Sequence, residues 1–110
     1  MTPAETRAWS ELLRQADRLT VTKKLLPGAL LLLKHLMYTR PDDPGVWRLS
    51  MRSLAKRLNR DRETINLWRV RLMRHELIQW TIRQRAGRRI IGQLEIPHLQ
   101  RAFSLATNGG

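Results

Sequence analysis

Apolar residues recur at three- and four-residue spacing from the start of the chain. Trp9, Leu12, Leu13, Ala16 and Leu19 form one stripe, with Arg7, Glu11, Arg14 and Arg18 opposite. This period predicts an amphipathic helix from Pro3 to Leu19. Thr2 is placed to cap it, Pro3 suits its first turn, and Glu5 sits near the positive end of the dipole. A β-branched and basic connector follows from Thr20 to Leu26. Pro27 then opens a second helix to about Tyr38. Its interior (Leu30, Leu31, Leu32, Leu33, Leu36, Met37) is apolar on most sides, the pattern of a helix central to a core. The loop Arg40-Pro41-Asp42-Asp43-Pro44-Gly45 ends it, and Val46 to Leu49 reads as a short strand anchored by Val46 and Trp47.

Ser50 can cap a helix over Met51 to Leu58, and Asn59 can adopt the left-handed conformation that ends it. Asp61 can cap the next helix, Arg62 to about Glu76. Leu77, Ile78, Trp80 and Ile82 begin a strand. Ala86-Gly87 allows a tight turn between Arg83-Gln84-Arg85 and Arg88-Arg89. Ile90, Ile91, Leu94 and Ile96 form the returning strand, Pro97 stops it, and His98 to Ala106 reads as a short last helix before a frayed tail. No internal repeat or low-complexity segment interrupts this order. The fold class expected is mainly α with a small β-hairpin.

The 110 residues fit one domain, and 42% are apolar, enough for a modest core. With four Trp, one Tyr and one Phe, Leu, Ile and Val must fill most of the interior. Cysteine is absent, which removes any disulfide framework, thiolate metal site or Cys nucleophile and fits a reducing cytosol. The longest apolar run, Ala29 to Leu33, is stopped by Lys34, far short of the roughly 20 residues that span a bilayer. The N-terminus has no apolar signal core, so no secretory peptide and no membrane partner are expected, and the location expected is cytoplasmic.

Charge changes the picture most. Twenty-one Lys and Arg face nine acids, a net of +12. Thirteen of those basic residues and three of the acids lie between Arg48 and Arg89, so this stretch alone carries +10. Such a surface attracts polyanions, nucleic acid before an anionic membrane. The residues are nearly all Arg, which forks onto phosphate and guanine better than Lys does.

Within that stretch, Leu54-Ala55-Lys56-Arg57-Leu58-Asn59-Arg60-Asp61-Arg62-Glu63-Thr64-Ile65-Asn66-Leu67-Trp68 resembles the helix-turn-helix consensus. Ala55 is the small residue that lets two helices touch, Asn59 the turn residue, Asp61 the cap, and Ile65 the β-branched residue packing back on the first helix. Two short helices that cross steeply need a small residue at the contact and a left-handed turn between them, whatever their ancestry. An ordinary helical hairpin would explain the apolar spacing but not the flanking arginines. The basic hairpin that follows extends the resemblance, over roughly residues 27 to 96, to winged helix-turn-helix regulators and plasmid replication initiators. Glu76 departs from that pattern, where glycine is common.

The resemblance implies a winged helix-turn-helix with an extra N-terminal helix. Residues 1–20 would be an amphipathic helix, 21–96 the DNA-binding unit, and 97–110 a short helix and tail; the first helix and Pro97 to Ala106 could form a dimer interface or only cap the monomer core. Ile65, Trp68 and Leu72 would face inward. Arg62, Glu63, Asn66 and Val70 would face base edges in the major groove. Arg52, Ser53, Arg60, Thr64 and Arg69 would contact the DNA backbone. Arg83, Arg85, Arg88 and Arg89 would form the wing, tracking phosphates or entering a narrow minor groove. Leu67, Val70 and Met73 fall off the inward face; they could pack on the N-terminal helix or on a partner, or Val70 could meet a thymine methyl.

The three histidines are far apart, and Asp42-Asp43, the adjacent carboxylate pair, sits in a Pro-rich loop suited to a turn. No phosphate loop or nucleophile constellation is present. The expectation is therefore no enzyme activity, no metal or other cofactor, and no small-molecule ligand. The expected function is sequence-specific binding of double-stranded DNA by a transcriptional regulator, a repressor, acting as a homodimer. Two other readings remain open: a replication or segregation accessory factor of a mobile element, and a nucleic-acid-binding subunit of a larger nucleoprotein assembly.

Overall fold

The structure is a computed structural model that describes residues 2–87 and 89–108. It is mainly helical, with a small antiparallel sheet. In chain order the elements are α1 (Pro3–Val21), α2 (Pro27–Met37), β1 (Val46–Leu49), α3 (Met51–Leu58), α4 (Arg62–Arg74), β2 (Gln79–Ala86), β3 (Arg89–Glu95) and α5 (Pro97–Asn108). None of these helices is long and apolar enough to cross a membrane.

The helix starts follow the side chains expected to cap them. Thr2, Ser50 and Asp61 each accept a hydrogen bond from the amide three residues on, at 3.2, 3.0 and 2.8 Å. α2 has Pro27 at its start and no side-chain cap.

Three helix ends share one device without using glycine. Lys23, Asn59 and Glu76 take φ values of 60°, 53° and 59°. After each, the next amide donates back five residues: Lys24 to Leu19 (2.8 Å), Arg60 to Ala55 (3.0 Å) and Leu77 to Leu72 (3.0 Å). These bonds satisfy carbonyls that a helix end otherwise leaves orphaned. Asn59 tolerates the left-handed region well; Lys23 and Glu76 occupy it at a steric cost. Because Glu76 turns the chain, α4 stops at Arg74 instead of reaching Glu76. Leu77 and Ile78 are then a buried connector, and the strand they were expected to begin starts at Gln79.

One buried cluster draws on every helix. Leu12, Leu32, Leu33, Leu36, Leu54, Ile65, Leu72, Ile78, Leu94 and Ile96 are fully buried. Trp9, Leu12 and Ala16 of α1 and Leu99 of α5 belong to that cluster, and α1 and α5 pack on each other. The apolar stripe of α1, open between a dimer interface and a cap on the core, is thus used inside the chain. α2 meets α4 at Gly28, where an added Cβ would lie 2.0 Å from the Trp68 ring. The indole fills the space a side chain would take.

The sheet runs β1-β3-β2. β1 comes from a distant part of the chain and pairs Trp47 with Leu94 and Leu49 with Gly92. The preceding loop holds it there. Asp42 accepts the Arg48 amide at 2.7 Å, Asp43 meets the Arg48 guanidinium at 3.2 Å, and the Trp47 indole N–H donates to the Thr39 carbonyl at 2.9 Å. Trp9 and Trp47 meet edge to face, centroids 6.2 Å apart.

Two stability measurements check this packing. Gly28→Ala forces a methyl into the Trp68 ring and should lower unfolding stability in urea by about 1–3 kcal/mol, the usual range for overpacking. Glu76→Gly removes a left-handed residue's steric cost at an exposed site and should raise it by about 0.5–1 kcal/mol.

Candidate nucleic-acid interface

Ala55 and Ile65 are buried where α3 meets α4. Asn59 supplies the left-handed turn between the helices, and Asp61 begins α4. This local geometry orients everything that follows. With Ile65, Trp68 and Leu72 buried, α4 must turn its other face outward.

On that outer face Arg62 and Glu63 are exposed, Asn66 is half-buried and Val70 is 41% exposed. Leu67 is 43% exposed. Met73 is partly buried against the core cluster.

Arg52, Arg60 and Arg62 come together at the turn. With Ala55 and Asp61 they line one open groove of about 730 Å³. The acid in this group, Asp61, uses one carboxylate oxygen to cap its own helix by accepting the Thr64 amide at 2.8 Å. Hydrogen bonds from Thr64 hold its carboxyl below the usual carboxylate range. Arg60 donates from Nη1 to the Asn59 carbonyl at 3.1 Å and stays exposed. Ser53 and Thr64 are half-buried at the starts of α3 and α4, and their amides are taken by Ser50 and Asp61.

Arg69 lies elsewhere. It is half-buried, its guanidinium carbon is 5.6 Å from the Trp80 ring centroid, and Nη1 donates to Met73 Sδ at 3.3 Å. Its Nε is buried without a partner, and burial pulls its pKa below the ordinary arginine value.

The arginines expected at a wing tip do not form one cluster. The register shifts between Ile82 and Gln84, so Arg83 is an extra residue at a bulge. Arg83 Nε donates to Gln93 Oε1 at 3.2 Å, and Gln93 in turn donates to Glu95. Gln93 pairs with Thr81 and Arg48, which places this network on one face of the sheet. Arg85 pairs with Ile90, which shares the opposite face with Gly92 and Leu94. The bulge therefore sends Arg83 and Arg85 to opposite faces of the hairpin. Arg89 pairs with Ala86 beside the turn, and Arg88 lies outside the described residues.

Sequence reasoning missed Gln93 and Gly92, and read Trp80 as a strand residue without its contacts to Arg69 and Gly92. Gln93 is a buried polar side chain on the face of the sheet away from Leu94, in a strand where its neighbours give no sign that an arginine ten residues earlier will cover it. Gly92 interrupts an apolar strand, and an isolated strand glycine is itself a sign of close approach or a bulge.

Elsewhere, burial and the charge of Arg57 pull the His35 pKa below its usual value. The His75 ring nitrogen Nε2 lies 3.1 Å from the Lys24 carbonyl, tying the end of α4 to the connector between α1 and α2. No family model, curated protein or solved structure matches this chain.

The Asp61 cap has a pH signature. A carboxyl whose folded pKa is depressed adds stability above its unfolded pKa and loses it as pH falls through the folded value. Asp61→Ala should therefore lower the melting temperature at pH 7. The deficit relative to the unsubstituted chain should shrink as pH drops below the usual carboxylate range. A deficit that is the same at pH 7 and pH 2.5 would rule out a charged cap.

Proposed function

We propose that this chain is a winged helix-turn-helix protein that binds duplex DNA sequence-specifically and acts as a transcriptional repressor. In this reading α4 is the recognition helix and the β2–β3 hairpin is the wing. The observation that carries it is the meeting of Arg52, Arg60 and Arg62 around one open groove at the α3–α4 turn. That groove adjoins the outward face of α4, and its one acid is engaged as a helix cap. Three cations around an open groove suit the phosphates flanking a major groove, which position the protein without reading sequence.

Base readout then falls to the outer face of α4. Arg62 has the fork for guanine O6 and N7, and Asn66 the amide for adenine N6 and N7. Glu63 accepts from cytosine N4 or orients Arg62, and Val70 meets a thymine methyl. Arg52, Ser53, Arg60 and Thr64 hold the backbone, and Arg85 extends the contact from the hairpin. Two copies on an inverted repeat would block a promoter by occupying it. The surface joining them would not be the buried stripe of α1.

The test is binding to the DNA upstream of the chain's own gene and to a random duplex, across a salt series. The upstream DNA should bind more tightly. Arg62→Ala/Asn66→Ala should cut that preference by about 100-fold while leaving salt-sensitive background binding, since each base contact carries about 1–3 kcal/mol of discrimination. Arg60→Ala should weaken both duplexes alike and reduce the salt slope by about 1. If neither duplex binds at moderate salt, or if RNA outcompetes both, the reading fails in favour of a nucleoprotein subunit.

A further inference from the structure

Arg69 carries a positive charge on the helix proposed to read DNA, yet it is half-buried against Trp80. Burying a guanidinium is costly, and leaving its Nε without a partner adds to that cost. What it meets is Trp80, at a distance where a cation is attracted to an indole face. Met73, one turn further along α4, accepts from its Nη1.

Trp80 is constrained in turn by Gly92. An added Cβ on Gly92 would lie 2.1 Å from two atoms of the ring, so the indole occupies the side-chain position of its neighbour on β3. Gly92, Trp80 and Arg69 thus form one stack from the middle of the hairpin to the side of α4. Its Arg69–Trp80 step is a cation–π contact, 5.6 Å from guanidinium carbon to ring centroid. Trp80 pairs with Leu94, and Arg85 with Ile90. Leu94, Gly92 and Ile90 alternate onto a single face, so Arg85 leaves the hairpin on the face that the stack holds against α4.

We propose that Arg69 is a positioning residue: through Trp80 and Gly92 it locks the β2–β3 hairpin against α4 and so sets where Arg85 meets DNA relative to the outward face of α4. This role rests on the DNA-binding reading above. It replaces the phosphate contact that the position of Arg69 on α4 suggests. A free arginine could reach a phosphate from either element, but two elements can engage one duplex together only if the distance between them is held. The hairpin is also tied to α4 by the short connector of His75 to Ile78 and by Leu94, which shares the buried cluster with Ile65 and Leu72; the stack acts further out, toward Arg85.

The experiment is a double-mutant cycle on duplex binding, combining Arg69→Met, which keeps an apolar stem of similar bulk, with Arg85→Ala. Melting temperatures confirm that each variant is folded. Arg69→Met alone should weaken binding about five- to tenfold, and Arg69→Lys should recover part of the loss because it restores a cation over the ring. In the Arg85→Ala background, Arg69→Met should cost less than about twofold, because the group it positions is gone. Backbone 15N relaxation of the free protein supplies a second readout. Arg69→Met should loosen residues 82–86 and 89–91 and leave α4 as ordered as before. The proposal is overturned if the two losses simply multiply, or if Arg69→Met lowers the salt slope by about 1 in both backgrounds, the mark of a lost phosphate contact. It is also overturned if the hairpin is equally ordered without Arg69. An unsubstituted chain that binds no duplex sinks the DNA reading first, and this role with it, which separates the two failures.

Discussion

The seat of Trp68 on Gly28 is the contact on which the exposed chemistry of α4 depends. An indole buries about 150–250 Å², worth on the order of 5 kcal/mol of apolar transfer as an upper bound. Here that area is delivered at one point, because the ring enters the space left by a missing side chain. α4 is thereby fixed against α2 by its inner face, and Ile65 and Leu72, one turn to either side, are fully buried. Once those three positions are committed, helical geometry decides the rest: Arg62, Glu63 and Val70 are exposed and Asn66 is half-buried. A second indole against a second glycine, Trp80 on Gly92, repeats the device in the sheet. In both places a ring and a glycine replace what two ordinary side chains would do, with tighter control of distance and orientation.

The arginines divide into two populations, and the division is physical. Arg48, Arg69 and Arg83 are held by other side chains, Asp43, Trp80 and Gln93 respectively, whereas Arg60 donates to the backbone carbonyl of its neighbour Asn59. The Arg48 pair is exposed at both ends, so its role is to orient the loop before β1 more than to add stability. Arg52, Arg60 and Arg62 surround a groove whose acid is already committed to a helix start. A chain of net charge +12 carries self-repulsion in its folded state. Gathering three cations at one turn raises that cost locally, which an anionic partner would relieve. That logic links the fold to the proposed interface.

Much of this was legible in residue order. Helical period placed α1 and α2, the pair Asn59 and Asp61 placed the turn between α3 and α4, and Ile65, Trp68 and Leu72 identified the buried face of α4. These are local properties, set by φ/ψ preference, by caps within four residues, and by a 3.6-residue repeat. The departures came where local preference was overridden. Glu76 adopts a left-handed conformation that its side chain disfavours, because Leu77 must turn back to bury itself beside Leu72. The bulge after Ile82 breaks the alternation that would have kept Arg83 and Arg85 together. The stripe of α1, which pattern alone leaves without a partner, is covered by the chain's own core and by α5.

By itself, then, the sequence determined the helices, the left-handed turn and cap between α3 and α4, the inward face of α4, and a strongly basic stretch from Arg48 to Arg89. Each follows from neighbours a few residues apart or from composition. Only the tertiary structure decided which arginines line the open groove and which are held by other side chains. That choice depends on contacts between residues distant in sequence: Gly28 with Trp68, Arg69 with Trp80, Trp80 with Gly92, and Arg83 with Gln93. A charge pattern records how many cations a surface has. Where each one points is set by the ring, glycine or amide that folding brings beside it.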